Sequence, residues 1–414
     1  MDVASDARST WAFQPSPKVS RLVPRVVSAA VTEARLRAIL PAVPVARVAD
    51  LSPLDPLGLP VFSAVTPLAL DLTTHLGKGA DPTSARVSAL MEAVERVSAE
   101  RLPGAIRQAS LDELLASSAP AVDPRWFELP DDSAFSPSAP FSWATGWDLL
   151  EASAALIPRD LVINPPSEGV LRDVDTNGLA SGNTLLEATL HALCEVIERD
   201  AVGQLLFVSL FSESSDSGPR RSPIDPRTLP ASLLPWLDRI AAEGLGIVVA
   251  DITTEIGIAT LKATLIDEAF PGPHGPEVRI FHGYGADPCA EIAARRAVTE
   301  AVQSRTGLIQ AARDSWNRIP LGSHAAAWKN SLRELEPGEQ IPFSAVPNHE
   351  AEDLRDDLDH VLGRLRRAGC THAIAVDLTR SDLAIPVVRV RVPGLATFWG
   401  NRRRVGWRCL RHLL

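Results

Sequence analysis

The clearest pattern of apolar and polar positions lies between residues 181 and 200. Thr184 is suited to an N-cap and Glu187 follows three residues later, which is the spacing of a capping box, so we predict that a helix begins here. At about 100° per residue, the helix separates a polar front from an apolar back. Within about 80° the front carries Glu187, His191, Glu195 and Glu198, and the back carries Leu185, Leu186, Leu190, Leu193, Val196 and Ile197.

A second amphipathic pattern, between Ser88 and Arg96, repeats the Glu-x-x-Glu-Arg ending of the first. Ser88, Glu92 and Glu95 share one predicted face, and apolar residues share the other. One such acidic face alone is typical of a solvated surface. Two of them are what the opposite walls of one site would present, and carboxylates, waters and phosphates are the ligands that Mg²⁺ prefers. The pair therefore favours a site for Mg²⁺ with a nucleotide.

A third predicted helix, over residues 288–308, places Arg296, Glu300 and Gln303 on one face within about 60°. Arginine binds phosphate oxygens bidentately, so this face suits a nucleotide, with ordinary surface ion pairs as the alternative. Its neighbour Arg295 is turned by about 100°, and we expect it to point away from the site.

Lys78 lies between two glycines just before the Ser88 helix. We predict a phosphate contact, because backbone amides and a helix N-terminus add positive character there. The segment is not a Walker A loop, since Leu72 and Gly79 stand where that motif needs a glycine and a Ser or Thr. A plain surface turn is the alternative.

Strand-like patterns separate the predicted helices. They cover residues 60–72, 143–149, 155–162, 246–252, 258–266, 279–285, 372–378 and 385–392. Further helices are predicted near residues 32–40, 111–117, 236–243 and 350–368, and the Ser- and Pro-rich residues 212–235 are predicted to be a surface excursion. We therefore predict an α/β fold with mixed sheets in a single large domain over residues 46–400. Residues 1–45 are expected to cover an edge of this body or stay mobile, and the basic tail 401–414 to be solvated.

The composition of the chain mainly excludes some classes of protein. The chain has 414 residues, 45% hydrophobic, and a net charge of −10, which argues against a general nucleic-acid binder. Its four cysteines form no Cys-x-x-Cys pair, so structural zinc and disulfides are disfavoured and a reducing cytoplasm fits. The sequence shows no signal peptide and no stretch that could cross a bilayer. We therefore predict a cytoplasmic protein without a membrane partner.

Several motifs occur together and in a fixed order. They are Ser88-x-x-x-Glu92-x-x-Glu95-Arg96, Asn177-Gly-Leu-Ala-Ser181-Gly-Asn183 leading to Glu187, Glu195-x-x-Glu198-Arg199-Asp200, and Arg296-Ala-x-x-Glu300-x-x-Gln303-x-Arg305. This set resembles the ATP-binding motifs of the YcaO family. Leu54-Asp-x-x-Gly58-x-Pro60, Gly77-Lys78-Gly79 and Val392-Pro-Gly-Leu395 also match the pattern of that family. The resemblance spans residues 45–400.

The resemblance implies a YcaO-type fold with ATP-binding helices, and ATP held with Mg²⁺. It implies metal-side roles for Glu92, Glu95, Glu195 and Glu198, and nucleotide or phosphate contacts for Lys78, Ser88, Arg96, Ser181, Asn183, Glu187, Arg199, Arg296, Glu300 and Gln303. The implied chemistry is activation of a peptide-bond oxygen by the γ-phosphate, followed by attack of a nucleophile on the amide carbon. The implied catalytic residues are Glu92, Glu195, Glu198 and Arg296. Positioning and charge neutralisation carry such a transfer, so no cysteine is needed and Cys194 is expected in the core.

The family divides by nucleophile: a neighbouring Cys, Ser or Thr yields an azoline ring, and external sulfide yields a thioamide. Azoline-forming members resemble each other in a proline-rich C-terminus that enters the active site and in a leader-binding partner or domain. Because this chain ends Cys409-Leu-Arg-His-Leu-Leu414 and has only 45 residues before the main body, we favour thioamide formation on a precursor peptide or protein. The expected partner is a TfuA-type protein or a sulfur donor.

Other functions stay open at this point. An azoline-forming cyclodehydratase is the first alternative, and a non-catalytic nucleotide-binding scaffold is the second. A di-iron carboxylate protein is disfavoured, because that class needs Glu-x-x-His pairs, whereas these helices carry Glu-x-x-Glu with arginine in the place after the second Glu. The oligomeric state also stays open, with a homodimer among the options.

Overall fold

Short strands that pair antiparallel build the sheets of this chain. The computed structural model describes residues 9–104, 106–211, 221–267, 280–311, 339–398 and 403–414. Within them the strands are β1 Arg47–Asp50, β2 Val61–Val65, β3 Thr74–Lys78, β4 Arg107–Ala109, β5 Phe141–Asp148, β6 Ser153–Pro158, β7 Leu179–Ser181, β8 Ser222–Pro223, β9 Gly246–Asp251, β10 Thr260–Ile266, β11 Ile280–Ala286, β12 Ile374–Asp377 and β13 Val387–Arg391. The helices are α1 Ala29–Ile39, α2 Pro82–Ala99, α3 Leu111–Ala116, α4 Leu185–Phe211, α5 Leu234–Ala242, α6 Ala290–Gln310, α7 Leu354–Arg367 and α8 Trp407–Leu410.

The strands form sheets of three, four and six strands in the described part of the chain. The first has the order β1-β2-β3, the second β11-β10-β9-β8, and the third β4-β5-β12-β13-β7 with β6 paired to β5. Every pairing between these strands is antiparallel. The predicted architecture is confirmed as helices combined with sheets, and the strands within a sheet do not mix directions.

Each of the three helices with a polar front packs against a sheet. Helix α2 lies on β2 and β3, α6 on β10 and β11, and α4 on β7 and β13. Glycines allow two of these contacts to be very close. A Cβ atom on Gly77 would lie 2.1 Å from the backbone nitrogen of Ala89, and one on Gly285 would lie 2.3 Å from the carbonyl oxygen of Ala293. These contacts fix β3 and β11 against the helices that carry the predicted site residues.

The start of α4 agrees closely with its prediction. The helix begins at Leu185, and Thr184 Oγ1 accepts the backbone N–H of Glu187 at 3.2 Å. The reciprocal half of the capping box is displaced by one residue, because the Glu187 carboxylate accepts the backbone N–H of Asn183 at 3.2 Å. Cys194 is buried among the apolar side chains on the back of this helix, as predicted.

Two predicted loops have more structure than expected. Lys78 is the last residue of strand β3, so the Gly-Lys-Gly segment is not the plain turn that was the alternative. Of the predicted surface excursion, residues 212–220 lie outside the described residues. Residues 221–235 include β8 and the buried Leu229 and Leu233, which join the core under the four-stranded sheet. The prediction failed there because polar composition hid two well-spaced apolar anchors.

The prediction that the basic tail is solvated is wrong for Arg404 and Arg408, whereas Arg403 is exposed. Arg404 is buried and pairs with Asp175, and Arg408 is buried and pairs with Asp200 at 2.6 Å. Buried acids that need a cation explain the basic composition of the tail.

No helix in the described ranges is long and apolar enough to cross a membrane.

The segment before β1 lies against the main body along most of its described length. Lys18 is buried and forms an ion pair with Asp357 at 2.5 Å. Arg21 pairs with Glu291 at 2.7 Å and with Glu350 at 2.8 Å. Helix α1 then packs on α2. Residues 18–32, which we call the N-terminal strap, thus run from α7 past the start of α6 to α2.

Candidate nucleotide and metal site

A single cavity of about 640 Å³ lies between α2, α4, α6, β3 and the strap. The three polar helix faces line it, so the paired-wall arrangement expected from the sequence is present. All fourteen predicted site residues border this cavity: Lys78, Ser88, Glu92, Glu95, Arg96, Ser181, Asn183, Glu187, Glu195, Glu198, Arg199, Arg296, Glu300 and Gln303. The structure therefore brings the whole set together, and the individual roles stay predictions.

The acidic wall is built from α2 and α4. Glu95 is buried and accepts the backbone N–H and the hydroxyl of Ser181 at 2.9 and 2.6 Å. Burial, reinforced by the charge of Glu92, raises the pKa of Glu95 to about 8. Burial and the charges of Glu198 and Glu92 likewise raise the pKa of Glu195 to about 7, against the opposing effect of Arg199. Burial and Glu300 also raise the pKa of Glu198. This clustering is unfavourable unless cations enter the cavity.

The cations on the walls are paired with carboxylates. Lys78 forms an ion pair with Glu300. Arg96 bridges Glu92 at 3.1 Å and Asp71 at 2.7 Å. Arg199 and Glu195 form a looser pair at 3.7 Å, one turn apart on α4. Such contacts place positive charge within reach of phosphate oxygens without leaving it unpaired.

The described residues hold no group of three His, Cys, Asp or Glu side chains that is already arranged to bind a metal. Glu95 in particular is engaged by Ser181. This still fits Mg²⁺, which commonly takes one or two protein carboxylates together with waters and substrate phosphates. The donor set therefore suits a metal that arrives with a nucleotide and not a resident ion held by protein ligands alone.

The arginine wall of α6 differs from its prediction at one residue. Arg296 donates to the carbonyl of Ala286 at 3.2 Å and lies 3.5 Å from the Asp287 carboxylate. Arg295 also borders the cavity, with its guanidinium 5.4 Å from the centre of the Trp236 ring. The expectation that Arg295 points away is therefore wrong. A long side chain at the edge of a helix face can swing over an aromatic neighbour and reach the opening.

The sequence analysis missed the N-terminal strap as a wall of the cavity. Its residues Leu22, Val23, Pro24, Arg25, Val27, Ala29 and Thr32 border the cavity. Arg25 lies 3.4 Å from Glu187, the Val26 N–H donates to the same carboxylate at 3.1 Å, and Thr32 donates to Asn183 Oδ1 at 2.8 Å. Apart from the helix near residues 32–40, no periodic pattern marks this segment, so no sequence signal indicated its position.

A second missed feature lies behind the acidic wall. Arg389 and Arg391 are buried on β13, and Arg391 pairs with Asp175 at 2.8 Å. Burial and the charge of Arg391 lower the pKa of Arg389 to about 9. The pattern Val387-Val-Arg-Val-Arg391 contained a usable signal, because two arginines spaced by two on an apolar strand share one face and need buried partners.

Comparison with known proteins places this geometry in a family. Residues 76–396 match the family model of YcaO, described as a YcaO cyclodehydratase that binds ATP and Mg²⁺. The chain therefore belongs to the YcaO family, as the motifs indicated, and ATP and Mg²⁺ are its cofactors. The residues around the cavity fit both, since they offer carboxylates on one side and paired cations beside them.

Two relatives extend over most of the chain. An uncharacterized protein of Methanothermobacter thermautotrophicus is 34% identical over 377 residues, covering 88% of this chain and 93% of the relative. An uncharacterized protein in the tfuA 3′ region of Rhizobium leguminosarum bv. trifolii is 33% identical over 398 residues, covering 92% of this chain and 90% of the relative.

Two solved structures confirm the YcaO-type fold. A heterocyclase in complex with substrate and cofactor gives a TM-score of 0.79 at 23% identity. The match covers 98% of this chain but 57% of that protein, so the heterocyclase is much longer. YcaO from Methanopyrus kandleri, bound with AMPPCP and Mg²⁺, gives a TM-score of 0.74 at 23% identity, covering 95% of this chain and 98% of that one.

Proposed function

We propose that this chain uses ATP and Mg²⁺ to activate a backbone amide of a ribosomally made peptide or protein for attack by a nucleophile. The observation that carries the proposal is the cavity itself, where a buried acid cluster and paired cations meet. An amide is a poor electrophile because its nitrogen lone pair is delocalised into the carbonyl group, and its oxygen is a poor leaving group. MgATP supplies the phosphoryl group that turns this oxygen into a good leaving group.

The side chains of this chain then position the reacting groups and neutralise their negative charge. Glu92, Glu195 and Glu198 lie on facing helices and offer the carboxylates for Mg²⁺. Lys78 and Arg296 face the same space from β3 and α6, where each can exchange its present carboxylate or carbonyl partner for a phosphate oxygen. Preorganised charges of this kind act where negative charge develops in the transition state.

The chain itself offers no evident nucleophile. None of Cys194, Cys289, Cys370 and Cys409 borders the cavity. Burial raises the pKa of the Cys194 thiol, and a buried thiol is inert because the thiolate is the reactive form. No thiol of this chain is therefore available as the nucleophile, and we place the nucleophile on the peptide or on a separate donor.

We infer that the donor is external sulfide and the product a thioamide, made with a TfuA-type partner. The relative in the tfuA 3′ region supports this choice at 33% identity. The tail adds a structural argument, because Arg404 and Arg408 anchor it behind β13 and α4 and residues 403–414 do not border the cavity. A mouth left uncovered by the tail can admit a partner that delivers sulfide.

Azoline formation is the second candidate. Its support is the description of the family as a cyclodehydratase and the likeness of the fold to a heterocyclase. In that case a Cys, Ser or Thr side chain of the peptide attacks the activated carbon. The two reactions share the activation step and differ in the nucleophile, which is a side chain of the peptide in one case and external sulfide in the other.

The deciding experiment combines the chain, a TfuA-type partner, a precursor peptide and MgATP, with or without sulfide. We expect exchange of one backbone oxygen for sulfur, dependent on sulfide, and peptide-dependent formation of ADP and phosphate. Loss of one water at a Cys, Ser or Thr without added sulfide would instead establish the cyclodehydratase. MgATP binding without any peptide-dependent hydrolysis would instead support a non-catalytic nucleotide-binding scaffold. The Glu195→Gln variant is the control for contaminating activity.

A further inference from the structure

His191 lies on the polar face of α4 and borders the cavity. It stands one turn after Glu187 and one turn before Glu195, or about 6 Å along the helix from each. Its Nδ1 is buried and makes no well-formed hydrogen bond among the described residues. The residue is only partly buried and borders the cavity, so we infer that the other ring nitrogen, Nε2, is the one that reaches it.

The ring is held neutral by its surroundings. Burial lowers the pKa of His191 well below its usual value, and the positive charges of Arg296, Arg25 and Lys78 lower it further. A backbone hydrogen bond to Ser181 acts in the opposite direction, as a carbonyl acceptor does. In a neutral imidazole one ring nitrogen carries the proton and the other accepts, and with the proton on Nδ1 the acceptor is Nε2.

The two ends of the cavity differ in chemistry, and His191 lies between them. Near Glu187 the strap lines the cavity with the apolar Leu22, Val23, Pro24 and Val27, beside Arg25, which lies 3.4 Å from the Glu187 carboxylate. Near Glu195 the walls carry the acid cluster and its paired cations. A nucleotide has the same order, with a flat base, a hydroxylated sugar and then phosphates with Mg²⁺. A side chain at the middle of the cavity is therefore level with the sugar.

The kind of atom that His191 can contact is limited by its acceptor. Phosphate oxygens carry no proton to donate, and Mg²⁺ prefers oxygen ligands to imidazole. Ribose hydroxyls are donors and lie between base and phosphates. We propose that His191 is a nucleotide-binding residue whose Nε2 accepts a hydrogen bond from a ribose hydroxyl. This proposal rests on the cavity being the nucleotide site of the proposed function.

The test measures binding and needs no turnover. Calorimetry in the presence of Mg²⁺ and without peptide gives the affinities of the chain for ADP, 2′-deoxy-ADP and 3′-deoxy-ADP. For the unmodified chain we expect one deoxy nucleotide to bind about 3- to 10-fold more weakly than ADP, the range for one hydrogen bond. In His191→Phe, which keeps the ring and removes the acceptor, ADP should weaken by the same factor and the discrimination should disappear. His191→Gln, which keeps an acceptor at the Nε2 position, should restore part of it.

Each other outcome overturns the assignment. If His191→Phe binds all three nucleotides as the unmodified chain does, His191 does not contact the nucleotide. If the variant loses discrimination between ADP and inosine diphosphate but keeps that between ribose and deoxyribose, the contact is to the base. His372→Phe, an imidazole outside the cavity that pairs with Asp148 at 2.6 Å, is the matched control and should change no affinity. If the unmodified chain binds no MgADP at all, the proposed nucleotide site is itself refuted, and not only the role of His191.

Discussion

Ser181 donates both its backbone N–H and its hydroxyl to one oxygen of Glu95, at 2.9 and 2.6 Å. The contact ties β7 to α2 directly beside the cavity. Two hydrogen bonds to the charged form lower a pKa, yet burial and the charge of Glu92 outweigh them and raise the pKa of Glu95 to about 8. At neutral pH the ligand-free protein therefore holds a proton that a carboxylate in water would have lost.

This proton predicts how the stability of the ligand-free chain depends on pH. Between the ordinary carboxyl range and pH 8, the folded state binds more protons at Glu95 than the unfolded state, so the free energy of unfolding falls as pH rises. Glu195, with a pKa of about 7, acts in the same direction. We expect the melting temperature in chelator to decrease by about 2 °C or more from pH 6 to pH 8.5. The Glu95→Gln variant should show a flatter curve, and a melting temperature that rises over this interval would contradict the assignment.

Glu195→Gln tests the metal-side role of the α4 acids. The change keeps the shape of the side chain, removes one charge from the acid cluster and removes one of the carboxylates that face Arg199. We expect MgATP affinity in calorimetry to fall by about tenfold or more, the scale of one lost charged contact. The melting temperature should change little. Glu350→Gln, at an exposed pair with Arg21 on the surface, is the control and should bind MgATP normally. Equal affinities in both variants would remove Glu195 from the site.

The sequence predicted this part of the molecule well because helical periodicity is a local property. Residue spacing alone predicts which side chains share the polar faces of α2, α4 and α6. That these faces line one cavity is predicted once their motifs are assigned to one family. The strap, by contrast, is positioned by contacts between residues far apart in the chain, such as Arg25 with Glu187 and Lys18 with Asp357. Nothing in the local pattern specifies such partners, so its place over the cavity was not predictable.

Two arginines of α6 allow a proposed binding role to be tested against a structural role. Arg296 borders the cavity, whereas Arg305 is buried between Asp55, at 2.5 Å, and Asp267, at 2.8 Å. Arg305→Ala leaves two buried acids without their cation, so we expect a loss of about 3–5 kcal/mol in the free energy of unfolding. Arg296→Ala should leave urea unfolding nearly unchanged and slow ATP consumption. The opposite ranking of the two variants would show that the register assigned to α6 is wrong.

The same comparison shows where residue type alone misleads. Arg305 and Arg296 occur in one motif, but nine residues at about 100° each place them on opposite sides of α6, and Arg305 is the buried one. The basic tail is a second case, because arginines that would normally be solvated reach Asp175 and Asp200 inside the fold. Charge patterns indicate that a partner exists, and only the tertiary structure shows whether the partner is a ligand, water or a buried carboxylate.

The tail itself gives the last prediction. Arg408 donates to both carboxylate oxygens of the fully buried Asp200 at 2.6 Å, directly after the Glu198-Arg199 pair on α4. Arg411, one turn further on, reaches the half-exposed Glu255 at 2.8 Å. Arg408→Ala leaves a buried carboxylate without its cation, so urea unfolding should show a loss of about 3–5 kcal/mol. Arg411→Ala breaks a partly solvated pair and should cost about 1 kcal/mol or less. Because Arg408 lies behind the cavity and not in it, MgATP affinity should stay near normal wherever the variant is folded. A large affinity loss with unchanged stability would instead mean that the tail enters the site, which is the arrangement expected for an azoline-forming enzyme.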